Sequence, residues 1–239
     1  MTTAQRYLAT PVGAGKGMGH ARAAVGAEAG GSNGAAAMRD RIRVVAEDLY
    51  VLRGYGGFSF GDIADAVGTT RANIHHHFGS KQRLMAELIE CFADDAERRI
   101  EACWAGGDAA LAARMEAQLD DLRRFYERFN PAPGDRNVWS PLARIRLDLP
   151  VLGELGSRAL ERIDRAYEVA LSRAIAQAID TGELVPQTPG EDVVRILRVT
   201  LLSCAPMTQD SGSFAEVEHL FAALQRLILA AWGARPADA

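Results

Sequence analysis

Lysine is almost absent from this 239-residue chain, two residues against 25 arginines. The bias, together with abundant alanine, points to a GC-rich bacterial genome. Cysteine is scarce and scattered, at Cys91, Cys103 and Cys204, which excludes a disulfide framework. Cys91 and Cys103 fall on one predicted helix, about 18 Å apart along its axis, and cannot bridge. No run of 18 apolar residues occurs, so no segment reads as membrane-spanning. The first residues lack the continuous apolar stretch of a secretory signal, and the expected location is cytoplasmic. The chain has no P-loop, no Gly-x-Ser-x-Gly, no His-Glu-x-x-His and no dinucleotide fingerprint after a strand. Gly13, Gly15 and Gly17 follow no strand. No catalytic residue, metal site or cofactor is therefore expected. Alternating strand patterns are missing too, and the fold class is all-α.

What is present is a change of texture along the chain. Residues 1–37 are rich in Gly and Ala and read as a disordered tail, with Arg6, Lys16 and Arg22 as a sparse basic arm. From Met38, Ile42, Val45, Leu49 and Leu52 recur at helical spacing up to the glycines at 54, 56 and 57. Ser59-x-x-Asp62 forms a capping box variant opening a second helix, whose face is Ile63, Ala64 and Val67. Gly68 ends it. Thr69 and Thr70 can cap a third, short helix to about His77, and Ser80 opens a long fourth one reaching Trp104. Further helices are predicted near 111–129, 136–148, 155–180, 190–206 and 213–232, about nine in all.

Charge is unevenly spread. The net charge is −4. Residues 38–83 carry seven basic and five acidic side chains, whereas residues 84–239 carry 17 and 25. A mildly basic segment on an acidic body is compatible with orientation on a nucleic acid.

Two short helices with a glycine between them, and apolar residues at 63, 64, 67, 74 and 78, make a helix-turn-helix pattern. The turn needs Gly68, and small Ala64 permits close helix approach. With Gly54-Tyr55 before it and Phe78-Gly79-Ser80-Lys81 after it, the segment 38–90 resembles the N-terminal domain of the TetR/AcrR family of bacterial transcriptional regulators. The resemblance implies a DNA-binding domain at 38–83 and a helical regulatory and dimerisation domain at 84–239. It implies DNA contacts from Thr70, Arg71, Ala72, Asn73, His75 and His77, and a phosphate contact from Lys81. Residue chemistry points the same way. Arg71 suits guanine or phosphate, Asn73 suits adenine, and the openings of helices two and four, with Ser59, Gly61 and Lys81, suit phosphate. His75 departs from the tyrosine usual in the family. Its imidazole is expected to donate to phosphate, more strongly when protonated. Consecutive His75, His76 and His77 diverge by about 100° per residue and cannot share one tetrahedral ion.

The C-terminal region resembles the family only in being helical. The resemblance implies an effector pocket, with candidates Trp104, Phe125, Tyr126, Phe129, Trp139, Arg144 and Tyr167. It also implies a homodimer through the last two helices, with candidates Ile196, Leu197, Leu201, Phe221, Leu224 and Ile228. The function expected is a repressor released from a palindromic operator by a small molecule. A DNA-binding protein without an effector, and an all-α enzyme or adaptor, are the alternatives.

Overall fold

A computed structural model describes residues 29–105, 107, 109–132 and 136–234. Among the described residues the chain is all-α, with ten α-helices. They are α1 (Ala29–Arg53), α2 (Phe60–Val67), α3 (Arg71–Phe78), α4 (Lys81–Trp104), α5 (Leu111–Phe129), α6 (Pro141–Leu147), α7 (Leu149–Leu152), α8 (Glu154–Asp180), α9 (Gly190–Ser211) and α10 (Ala215–Trp232). Among the described residues a single 3-10 turn spans Tyr55–Gly57, and one isolated antiparallel bridge pairs Leu184 with Gly233. The chain divides into two compact units, up to Leu88 and from Ile89, so the division falls within α4 rather than at its start.

In the first unit, Ile42, Ala46 and Tyr50 of α1 are fully buried at four-residue spacing, and Val51 joins them. The sequence pattern picks Val45, Leu49 and Leu52, which are only half-buried, because it passes over Ala46 and Tyr50 as weak markers of a core face. Helix α1 also starts at Ala29, not at Met38. The alanines at 35–37 carry no apolar periodicity but have the highest intrinsic helix propensity, which explains the earlier start. The rest of the expected tail, with the three basic residues of the arm, lies outside the described residues. Ser59 caps α2 as a complete capping box: its hydroxyl accepts from the Gly61 and Asp62 amides, and the Asp62 carboxylate accepts from the Ser59 amide at 2.8 Å. That set of bonds holds the Asp62 carboxyl below its ordinary range, the Ser59 hydroxyl contributing most. Gly68 closes α2 at φ 75°, a left-handed conformation that any side chain would strain, although space around it is open.

The second unit is built from α4 beyond Ile89 and from α5 to α10. Trp104, Met115, Ile145, Leu171 and Cys204 are among its fully buried side chains. Helix α6 is shorter than the predicted 136–148 because Ser140 caps it, with Pro141 in the first turn; Pro150 then opens α7 rather than merely ending α6. Helix α9 runs five residues past the predicted 206, with Pro206 inside it. Proline removes the amide that the Leu202 carbonyl would accept from. Arg146 supplies a replacement, donating from Nη1 to Leu202 O at 3.1 Å. On the outside, Arg162 of α8 pairs with Glu90, Asp94 and Glu97 of α4, and Arg173 pairs with Glu101. No helix among the described residues is long and apolar enough to cross a membrane.

Candidate nucleic-acid interface

Helix α3 is short, and what holds it is local. The Thr70 hydroxyl accepts from the Asn73 amide at 3.2 Å, fixing the first turn. Ile74 and Phe78 bury one face against Phe60, Ile63 and Val67 of the unit's core. The opposite face is left to solvent: Thr70, Arg71, Ala72, His75 and His76 are exposed. The Arg71 guanidinium has no partner among the described residues. A rigid helix carrying a free guanidinium and unspent polar edges can enter a groove and hydrogen-bond to base edges or phosphates.

Not every candidate lies on that face. Asn73 is half-buried, and its side-chain amide donates to the Thr69 hydroxyl at 3.0 Å, so it braces the turn. His77 is half-buried with its ring against Phe78, and its carbonyl accepts from Arg39. The Ser59 hydroxyl is exposed but committed to the capping box, and Gly61 is half-buried in the first turn of α2.

Lys81 stands apart from its expected role. Its ammonium donates to the carbonyls of Tyr55 and Phe58 and lies over both rings, 4.8 and 4.1 Å from their centroids. It ties the 3-10 turn to the start of α4. The sequence gives no sign of this, because both partners are more than 20 residues away. Arg83, two residues further along, is exposed and its guanidinium has no partner among the described residues. It is the cation at this helix opening that remains available to an anion.

His75 also differs from expectation. Its Nδ1 lies 3.0 Å from the Gly79 carbonyl, and its ring packs edge-on to Phe60 at 4.7 Å between centroids. A carbonyl partner requires the hydrogen on Nδ1. The neutral ring therefore presents Nε2 as an acceptor, suited to an exocyclic base amine rather than to phosphate.

Sequence reasoning missed two arginines of α1. Arg39 pairs with Glu87 at 2.6 Å and stacks over Phe78 at 4.2 Å, while Arg41 donates to the Val67 carbonyl at 3.0 Å. Both lock the helix-turn-helix from outside it, through contacts that local spacing does not encode. Among the described residues no three His, Cys, Asp or Glu side chains gather as a metal site.

The second unit holds an internal cavity of about 70 Å³. Of the pocket candidates, Phe125, Trp139 and Tyr167 line it. Trp104, Tyr126, Phe129 and Arg144 do not. Trp104 is fully buried, with its indole donating to Gln118 at 2.8 Å. Tyr126 packs on Trp139 and Phe214 and donates to Asn137. Phe129 is a buried core residue, and Arg144 is half-buried in α6. The polar wall comes instead from Asp95 and Arg99, one turn apart on α4, together with Ser140.

The dimer candidates sort similarly. Leu197, Leu201, Phe221, Leu224 and Ile228 are all buried within the protomer, and Leu201 lines the cavity. Only Ile196 is exposed, at 48 %, alongside Val199 at 57 % and Leu227 at 64 %, which the sequence pattern had not separated from the core. None of the three cysteines forms a disulfide. Burial pushes Cys103 up to about 11 and Cys204 to about 12, so both stay protonated and unreactive near neutrality.

Residues 42–88 match the family model described as bacterial regulatory proteins, tetR family. The transcriptional repressor KstR2 of Rhodococcus jostii is 33 % identical over 64 residues, covering 27 % of this chain and 31 % of that protein. The transcriptional regulator AlkX of Mycobacterium tuberculosis is 31 % identical over 91 residues, 38 % of this chain and 42 % of that one. The chain thus aligns with about a third of the length of the first curated relatives it matches. A TetR transcriptional regulator from Chloroflexus aurantiacus shares the fold over 85 % of this chain and all of its own, with a TM-score of 0.69 at 19 % identity. Residues 42–88 thus carry the similarity to the tetR family of bacterial regulatory proteins.

Proposed function

We propose that the protein is a homodimeric, DNA-binding transcriptional repressor that leaves a palindromic operator when a small molecule enters the cavity of its second unit. The observation that carries the DNA-binding part is the solvent face of α3. It displays Arg71, Ala72 and His75 on a helix whose other face is locked into a helix-turn-helix. The sign of regulation is taken from KstR2, which is named a repressor. A regulator of this kind acts in the cytoplasm and needs no catalytic residue.

Dimerisation follows from the reach of one short helix. A single recognition helix contacts few base pairs, whereas two, about 35 Å apart, read successive major grooves. The residues supporting a second copy are Ile196, Val199 and Leu227, large apolar side chains on the outer faces of α9 and α10. Release is assigned to α4. Phe92, Asp95, Ala96 and Arg99 on this helix form one wall of the cavity, and the same helix begins at Lys81. A ligand that binds better when α4 is displaced lowers operator affinity by that difference.

The cavity volume favours one second reading, a DNA-binding regulator without an effector. At about 70 Å³ it is well below the roughly 300 Å³ at which drug-sized ligand pockets begin.

A gel-shift titration of the full chain against DNA upstream of its own coding sequence, at two salt concentrations, tests the central proposal. Arg71→Ala/Arg83→Ala is the control. Saturable binding that weakens with salt is expected, with a shallower salt dependence in the double variant, since two phosphate or base-edge cations are removed. Equal binding of both proteins would overturn the assignment of the α3 face.

A further inference from the structure

The cavity of the second unit is mostly apolar, walled by Phe92, Leu122, Phe125, Trp139, Ile145 and Ile163, but one end is not. Tyr167 is 7 % exposed, lines the cavity, and its hydroxyl has no hydrogen-bond partner among the described residues. A hydroxyl that opens onto an apolar cavity without a partner favours an occupant that accepts its hydrogen bond. Its burial also keeps the phenol protonated, a donor at any ordinary pH. The other polar groups of the wall are largely committed. The Trp139 indole donates to Thr208 at 2.8 Å, and the Ser140 hydroxyl accepts from the Ala143 amide. Arg99 spends three of its five N–H groups on Asp121 and Asp95 and stacks over Phe125 at 3.7 Å.

The end of the cavity therefore offers hydrogen-bond donors, the Tyr167 hydroxyl and the remaining N–H groups of Arg99. It offers no spare charge, because Asp121 and Asp95 already flank the guanidinium. An anion there would face two carboxylates, and a hydrocarbon would leave the hydroxyl unpaired. We propose that the cavity takes a compact, neutral carbonyl compound, an apolar ring or short chain whose oxygen accepts from Tyr167 and Arg99. This rests on the effector reading above and names the ligand class for it. The volume, about half of the roughly 150 Å³ that holds benzene in an engineered apolar cavity, requires half-buried Leu142 or Leu202 to change rotamer as a ring enters.

The test titrates the full chain with cyclopentanone, cyclopentanecarboxylate and cyclopentane, following the Trp139 indole N–H resonance, with Tyr167→Phe alongside. The hydroxyl has no partner to lose, so this variant keeps the fold. Cyclopentanone is expected to give a saturable shift, with the carboxylate at least about tenfold weaker. Tyr167→Phe should weaken the ketone about three- to tenfold and leave cyclopentane unchanged. A carboxylate that binds as tightly as the ketone, or a ketone indifferent to Tyr167→Phe, overturns the ligand class while the cavity still binds. If none of the probes moves Trp139 at millimolar concentration, the cavity is not a ligand site and the effector reading falls with the proposal. Operator binding in the gel shift would survive either result.

Discussion

The solvent face of α3 and the cavity of the second unit are both candidate sites, yet they are built in opposite ways. Around α3 the polar residues are exposed because short-range capping and a few apolar anchors leave one face of an eight-residue helix free. In the second unit the aromatic residues are drawn inward by the same force that makes the core, so an aromatic in the sequence is a core residue first and a pocket residue only if a gap is left beside it. A site made of surplus surface can be read from spacing. A site made of missing volume depends on how helices far apart in sequence pack.

Trp104 offers the largest test of that contrast. If it is core, Trp104→Ala removes a fully buried indole and strands the Gln118 carboxamide, and should destabilise the protein by about 3–5 kcal/mol in denaturant unfolding. The Arg71→Ala/Arg83→Ala variant should stay within about 0.5 kcal/mol of wild type in the same measurement. A Trp104→Ala protein of normal stability would show that the second unit, too, carries its large aromatics as spare surface.

Helices α9 and α10 sharpen the contrast within one element pair. Leu224 and Leu227 are three residues apart on α10, one buried and the other 64 % exposed. Leu224→Ala should cost about 2–4 kcal/mol of folding stability through lost burial and a cavity. Leu227→Ser should cost little stability in a protomer but raise the dimer dissociation constant, measured by analytical ultracentrifugation over a dilution series. Identical effects on both quantities would mean that the exposed stripe is not an interface.

These pairs also show how much was legible beforehand. Helices α2 and α3, the capping box and the turn at Gly68 could be read because each depends on residues within four positions of one another. Lys81, Arg39 and Arg41 could not, since their partners lie 23 to 48 residues away and a basic residue at a helix start looks the same whether it meets phosphate or a carbonyl of its own chain. In α9 and α10 the apolar residues outnumber what one face needs, and periodicity alone did not say which of Ile196 and Leu197 points inward. The polar end of the cavity was missed because Arg99 and Asp95 sit on a helix rich in charges, where nothing local marks one arginine as half-buried against a cavity.

The smallest expected effect concerns the best-read feature, the capping box of α2. Asp62 accepts from the Ser59 amide and hydroxyl, and its carboxyl is held below the ordinary value. A depressed carboxyl contributes stability above its unfolded pKa and loses it as pH falls through the folded one. The group is largely solvated, so the contribution is under about 1 kcal/mol. Asp62→Ala should therefore be slightly less stable than wild type near neutrality, and the gap should close as the pH is lowered through the acidic range below about 4. Urea unfolding of the two proteins at matched pH values checks this. A gap that stays constant on acidification would mean that the side chain acts by shape alone, and that the ionised carboxylate adds nothing to a helix whose position the rest of the unit already fixes.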